Sequence, residues 1–425
     1  MILEKLNEKE YEKFIQNHKG SHFMKSYYFG EVMKEKNYTP HYLGLKKDGK
    51  IVAALLLLEK KINRYRYFYS PRGYSVDYSD KEMMKILTKS LKRYVKSFRG
   101  IFIKIDPNIK RHNLDVNGNV VPGDDHENTI KLLNGLGYKH KGFSTDFVDE
   151  QPRFTFKIDL NKEFDEVYKG MHATTRNILN RGNPYNLEIY KGDKKDIPYF
   201  YQTMIDTAKR ENIVPGKEEY YARFYDILNQ HDMSDIYVVK ANIKKLKETY
   251  KNMIEETKTK IDEIKNNPNS TKKAKNRLND LNDELKKLNK EYEITKTIKK
   301  EEVILSSMIT VKYNDIVWTV HGGNADELRF LNANYYLYYQ IIKDAYADNM
   351  KIVDLFGTSG IANPPKNDPI YGIHLFKKRF GGEYVEYIGE FDLICKPFMC
   401  WLYTIVVPFR RKLVKRSLRK KMKDQ

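Results

Sequence analysis

Apolar and polar positions alternate in blocks that change period along the chain. Residues 1 to 40 read as helix, loop and helix, ending at Pro40. His41 to Leu45 and Lys50 to Lys60 then predict a hairpin around Lys47-Asp48-Gly49-Lys50, whose second strand carries the run AALLLL. Tyr67 to Gly73 leaves a strand for a tight turn at Pro71-Arg72-Gly73. Lys81 to Ser97 has helical spacing, with Met84, Leu87, Leu91, Tyr94 and Phe98 on one face. Gly100 to Ile105 is the next strand, and Asp106 stands at its end before Pro107. A helix over 126–136 and a strand over Phe154 to Leu160 complete this block.

A similar order follows, with helices over 163–169 and 172–180, a strand at Leu187 to Lys191, helices over 196–210 and 217–229, and strands from Ile236 onward. The pattern predicts an α/β (α+β) chain of two mixed units, although no sequence repeat is visible. Between the strands Ile236 to Lys240 and Val303 to Val311 the period changes. From Ala241 to Lys300, apolar residues step by threes and fours (Leu246, Tyr250, Met253, then Leu281, Leu285, Leu288), among Lys, Glu, Asp and Asn. That predicts an antiparallel coiled-coil helical hairpin, inserted into a β-turn, with arms on the order of 40 Å long.

The stretch Lys351 to Leu393 is the densest in signals. An apolar run, Ile352 to Phe356, breaks into Gly357-Thr358-Ser359-Gly360 and then Pro364-Pro365. A short helix follows over Tyr371 to Phe380, Gly381-Gly382 stops it, and Glu383 to Leu393 alternates as one strand. A Gly/Pro-rich loop of this length inside a compact unit marks function.

Composition narrows the chemistry. With 77 Lys and Arg against 57 acidic residues, the net charge of +20 favours a polyanionic partner, namely RNA, anionic lipid or a phosphorylated substrate; AT-rich coding would give the same lysine bias. Two cysteines, Cys395 and Cys400, without a His or Cys cluster at ligand spacing argue against a disulfide framework or a zinc site. No Ser-His-Asp or Cys-His set stands out, and Gly357-x-x-Gly360 lacks the Gly-Lys-Ser/Thr ending of a nucleotide loop. The start, MILEKLNEKEYEKF, is too charged for a signal peptide, which places the protein in the cytoplasm. Phe398, Trp401, Leu402 and Ile405 precede nine Lys or Arg between Arg410 and Lys423. Such a patch and polybasic segment (398–425) describe a peripheral anchor at the inner face of an anionic membrane; RNA contact and a solubilising tail are the alternatives.

The wording of the densest stretch resembles the FemABX aminoacyltransferases. Phe356-Gly357-Thr358-Ser359-Gly360, Tyr371-Gly372, Phe376-Lys377-Lys378-x-Phe380-Gly381-Gly382-Glu383 and Tyr387-Ile388-Gly389-Glu390-Phe391-Asp392 carry the likeness in order and spacing. The resemblance implies two tandem acetyltransferase-like (GNAT-type) domains, 1–150 completed by about 386–410, and 151–385, with the arm 241–300 inserted in the second. It implies transfer of an amino acid from aminoacyl-tRNA to the side-chain amine of the third peptide residue of a peptidoglycan precursor, lipid II in preference to UDP-MurNAc-pentapeptide, with no cofactor and no metal.

It casts Phe376 as a stacking platform and Lys377 as the cation beside the reacting ester, with Lys378 and Arg379 also on the tRNA side. Asp106 becomes the group that meets the acceptor amine, as base or as positioning residue. Lys34, in Ser26-Tyr27-x-Phe29-Gly30-x-x-x-Lys34, and Lys217, in Lys217-x-x-x-Tyr221, become phosphate contacts. Tyr221 faces the muramoyl peptide and Arg72 reaches an anion. An arginine is usual where this chain has Lys217, and the ammonium lacks the bidentate fork. An acyl-CoA-dependent N-acyltransferase and a non-catalytic RNA- or lipid-binding protein remain the rival readings, and a homodimer through the arm is left open.

Overall fold

The computed structural model describes residues 1–403 and 405, apart from 63, 146–149, 212–213, 267–270 and 369. Two seven-stranded mixed sheets organise it. The first runs, edge to edge, Ile2–Lys5, Thr39–Lys47, Lys50–Ile62, Tyr65–Ser70, Gly100–Ile105, Phe391–Ile394 and Tyr138–His140. The second runs Glu188–Gly192, Ser234–Asn242, Glu302–Tyr313, Ile316–Asn324, Ile352–Gly357, Phe154–Asp159 and Glu383–Glu386.

The two sheets share a plan. In each, the fourth and fifth strands are parallel and joined through a helix, Lys81–Ser97 in the first and Ala333–Ala347 in the second, while the other described pairings are antiparallel. A parallel pair needs a crossover, and the helix supplies it. The duplication is therefore one of strand order. Asp106 follows the fifth strand of the first sheet, and Gly357 ends the fifth strand of the second.

The helices follow local rules. Asp80 caps Lys81–Ser97 by accepting from Met83 N at 2.9 Å, and Met84, Leu87, Leu91 and Val95 are buried on one face. Gly381 and Gly382 stop the helix Tyr371–Lys378 because both take positive φ, +79° and +90°, and a Cβ would lie 2.6 Å from Gly170 O and 2.4 Å from Lys157 O. The helices Ile243–Lys265 and Lys272–Thr297 lie side by side, with Tyr250 hydrogen-bonded to Glu291 at 3.2 Å. Their base joins the core of the second sheet through Leu246, Tyr250, Ile254 and Leu288, and the flanking strands pair Asn242 with Glu302. The arm thus stands in place of a hairpin turn.

A third core fuses the two halves: Leu6, Tyr11, Phe23, Phe29 and Leu58 from the first pack with Phe200, Phe224, Val238 and Trp318 from the second. Glu12 is buried in this seam and accepts from Tyr313 Oη and from Tyr27 N.

Two expectations change, and one helix was not foreseen. The segment Glu383 to Leu393 is two strands: Glu383–Glu386 pairs with Phe154–Lys157 in the second sheet, whereas Phe391–Ile394 inserts between Gly100–Ile105 and Tyr138–His140 in the first. Gly389, at φ +89°, lets the chain turn between them. Residues 1–40 also carry an edge strand, Ile2–Lys5, too polar to show alternation. The helix Ala333–Ala347, not picked out from the sequence, buries eight of its fifteen residues and keeps only a narrow polar stripe at Gln340, Lys343 and Asp344, so its helical period is weak. Of the expected anchor over 398–425, residues 404 and 406–425 lie outside the described residues, and among the described ones no helix is long and apolar enough to cross a membrane.

Phe391 is fully buried between Ile105 and His140. Phe391→Ala is expected to cost about 3–5 kcal/mol, read as a lower urea midpoint with an unchanged slope.

Candidate functional site

Asp106 is buried at the mouth of the first parallel pair, where the turn Pro71-Arg72-Gly73 leaves the neighbouring strand. Its Oδ1 accepts from Arg72 N at 2.8 Å, and Arg72 Nη1 lies 3.7 Å from Oδ2. Arg72 holds φ +57°, a left-handed backbone uncommon for a side-chain-bearing residue, and the guanidinium is fixed by Pro152 O at 3.3 Å. Burial raises the Asp106 carboxyl to about 7, against the opposing pull of Arg72. Lys25 is also buried here; its Nζ donates to Gly20 O at 2.9 Å and Tyr74 O at 3.4 Å, and burial lowers its ammonium to about 7 although Asp106 opposes the shift.

The mouth of the second parallel pair holds Lys377. Its side chain turns inward, so that Nζ donates to Gly357 O at 2.7 Å and Phe356 O at 3.2 Å. Phe356 has φ +58°, and this strained backbone aims its carbonyl at the ammonium. Asp354 fixes the bend by accepting from Phe356 N at 2.8 Å and from Thr155 Oγ1. Burial lowers Lys377 to about 8, and Asp354 resists that shift. An ammonium has three donors. Two are spent on the backbone, which orients the third.

Between the two mouths runs a file of polar side chains. Arg72 lies 5.1 Å from the ring of Tyr387, and Lys157 lies 5.4 Å from the same ring on its side. Burial pulls the Lys157 ammonium down, but Tyr387 and Asp354 outweigh it and hold it above its usual range. Strand pairing sets Lys157 opposite Asp354, whose charge acts on both Lys157 and Lys377, so Asp106, Arg72, Tyr387, Lys157, Asp354 and Lys377 form one electrostatically coupled set. Tyr387 belongs to the link between the split strands, with its N–H on Arg153 O at 2.9 Å.

The neighbours of Lys377 differ in role. Phe380 is core, stacked on Tyr335 at 5.7 Å. Phe376 is partly buried and meets Tyr335 and Tyr338 edge-on, both at 4.9 Å. Lys378 Nζ donates to Ala362 O and Asn363 Oδ1, and Arg379 Nη1 to Tyr335 Oη. His374 pins the glycine-rich loop, with Thr358 Oγ1 at 3.0 Å and Ala362 O at 2.8 Å. Beside this helix a cleft of about 300 Å³ is lined by Phe376, Arg379, Arg210, Arg329, Asn332 and Tyr335. Asp326 pairs with Arg210 and Glu327 with Lys300, which leaves the cleft's balance positive.

A second cleft, of about 360 Å³, lies between the halves and is lined by Lys36, Lys217, Tyr220, Tyr221 and His321. Lys217 is exposed at the start of the helix Glu218–Asn229. Tyr221 is buried; its hydroxyl accepts from Gly216 N at 3.1 Å, and its ring sits 5.2 Å from His321. Lys34 is not in this lining: it is exposed and bonded to Glu31 at 2.6 Å, while Lys36 Nζ lies 4.2 Å over the ring of Tyr220. Lys34 ends its helix, whereas Lys36 lies in the turn that follows and so points elsewhere.

Sequence reasoning did not single out Lys25, Lys36, Lys157, Asp354 or Tyr387. Only Tyr387 lay in a quoted motif; the others carry no local signal, because the partners that define them are remote in the chain. Among the described residues no group of three or more His, Cys, Asp or Glu side chains is placed to hold a metal ion.

The FemAB family model matches residues 6–407. The lipid II:glycine glycyltransferase of Staphylococcus aureus is 25% identical over 427 residues, covering 97% of this chain and 97% of that protein. The protein of the same name from S. aureus strain USA300 matches equally, at 25% identity and 97% of both lengths. The crystal structure of FemX superposes with a TM-score of 0.73 at 24% identity, covering 96% of this chain and all of that one, which establishes a common fold. With its sequence matched nearly end to end and its fold shared with FemX, the chain belongs to the FemAB family.

Proposed function

We propose that this protein is an aminoacyltransferase that moves an amino acid from aminoacyl-tRNA to the side-chain amine of the third peptide residue of a peptidoglycan precursor, building an interpeptide bridge. The lipid-linked precursor, lipid II, is favoured over UDP-MurNAc-pentapeptide, because the similar S. aureus proteins are named for lipid II. The observation that carries this reading is the file linking a carboxyl poised near neutrality, Asp106, with an inward-held cation, Lys377, across both sheets.

The chemistry follows from that pairing. The acceptor nitrogen attacks the ester carbonyl; a C–N bond forms and the C–O bond to the terminal ribose breaks. Asp106 takes the proton that the amine sheds, and that proton is passed on through solvent to the ribose oxygen as it leaves, which returns Asp106 to its carboxylate. Lys377 faces the oxyanion that develops between these events. Phe376 and Arg379 border the positive cleft suited to the RNA end, whereas Lys378 points to the loop at Ala362 and Asn363 and adds its charge from beside it. Lys217 and Tyr221, with Lys36 in place of Lys34, border the cleft assigned to the precursor, and Arg72 holds Asp106.

In this reading the chain comprises two acetyltransferase-like domains, 1–150 completed by about 386–410 and 151–385. The helices Ile243–Lys265 and Lys272–Thr297 form a coiled-coil arm, and catalysis takes place at the cytoplasmic face of the membrane.

Purified protein given glycyl-tRNA and lipid II is expected to yield precursor heavier by whole glycine residues in mass spectrometry, and ribonuclease should abolish the gain. Absence of transfer across a panel of charged tRNAs, or transfer that requires acyl-CoA and survives ribonuclease, would overturn the reading.

A further inference from the structure

The helix over 397–403 is apolar on two sides. Met399, Cys400 and Tyr403 face inward and join a small cluster with Tyr67, Ile101 and Phe102 on the back of the first sheet; the ring of Tyr403 lies 5.1 Å from Phe102 and 5.5 Å from Tyr67. The opposite side presents Phe398, Trp401, Leu402 and Ile405, which are 71%, 59%, 38% and 53% exposed. Their spacing, i, i+3, i+4 and i+7, puts four large apolar side chains on one stripe. A contiguous exposed patch of this kind on a docked helix marks a contact surface.

The charges around it select the partner. Lys60, Arg64 and Lys396 lie against Tyr38 and Tyr65, at 4.3, 5.5 and 5.4 Å from the ring centres, and both tyrosines belong to the same cluster. The sequence then continues with nine Lys or Arg between Arg410 and Lys423. An aromatic and aliphatic stripe bordered by cations fits the interface of an anionic bilayer, where the rings enter the headgroup region and the ammonium groups meet phosphate.

We infer that Phe398, Trp401, Leu402 and Ile405 insert into an anionic lipid surface, with Lys60, Arg64 and Lys396 on its phosphates. Because the helix is packed on the first sheet, the anchor fixes the protein's orientation on the membrane rather than merely tethering it. The surface does not depend on the transfer reaction proposed above, and vesicles free of precursor test it alone.

The chain carries its own probe, since only two tryptophans are present and Trp318 is 2% exposed. With vesicles of phosphatidylglycerol and phosphatidylcholine, full-length protein is expected to sediment with lipid. Trp401 emission should shift to the blue and be quenched by brominated acyl chains, with phosphatidylcholine alone giving little of either. Phe398→Glu/Leu402→Glu, which keeps Trp401, should bind at least tenfold more weakly while its circular dichroism and its turnover on a soluble precursor stay those of the parent. The inference falls if the parent ignores anionic vesicles, if bromolipid leaves Trp401 unquenched, or if the double variant binds as well as the parent. It also falls if the variant's change is instead loss of self-association, which would make the patch a contact between two copies.

Discussion

Lys377→Met is expected to lower kcat by about 10²–10³-fold, the usual effect of deleting one donor to a developing oxyanion, with the KM for the precursor nearly unchanged. The size follows from the placement of the ammonium. Gly357 O and Phe356 O hold two of its N–H groups, so the third arrives already oriented. Methionine has a similar reach but no charge and no donor. Asp354 still fixes the bend through Phe356 N at 2.8 Å, so the local fold should survive and the melting temperature should move little. Single-turnover rates with charged tRNA in excess measure the effect on the chemical step directly. Unchanged turnover would remove Lys377 from the reacting centre.

A narrow bell of activity against pH is the second large effect. Burial raises Asp106 to about 7 and lowers Lys377 to about 8. The rate should climb as Asp106 loses its proton, peak between these values and fall as Lys377 loses its own. Asp106→Asn keeps an acceptor for Arg72 N but cannot take a proton. It should cost about 10²–10⁴-fold and abolish the acid limb, whereas Lys377→Met should abolish the alkaline limb.

Stability moves the other way. The folded Asp106 value lies above that of the unfolded chain, so folding favours the protonated form; the stability present at low pH is lost as pH rises from the unfolded value towards about 7. Asp106→Asn should therefore melt higher than the parent at pH 8, by a few degrees (about 3 °C), and match it near pH 4. An asparagine variant that is less stable at pH 8 would show that Arg72 needs the full carboxylate charge and that Asp106 is a structural ion pair.

Much of this site was legible in the chain. Phe376, Lys377 and the glycine pair sit in one short motif, and Asp106 precedes a proline at a strand end, so residue type and neighbours pointed to them. Phe380 also behaved as its helical spacing demanded. Lys34 did not: at the end of its helix it turns to Glu31, while Lys36, in the turn beyond the helix, reaches the cleft. Asp354 and Lys157 were silent, since each gains its meaning from groups that strand pairing brings beside it.

What the sequence determined by itself was local: the periods of strands and amphipathic helices, the caps, the glycine stops, the inserted arm and the family wording. These depend on neighbours within a few residues, where spacing is enough. The tertiary structure decided how Glu383 to Leu393 divides between two sheets, and that Ala333–Ala347 is a buried crossover. It also decided that Lys377 turns inward and that Asp106 and Lys377 share one polar file. Each of these rests on hydrogen bonds and desolvation among residues far apart in the chain, terms that no window of sequence contains.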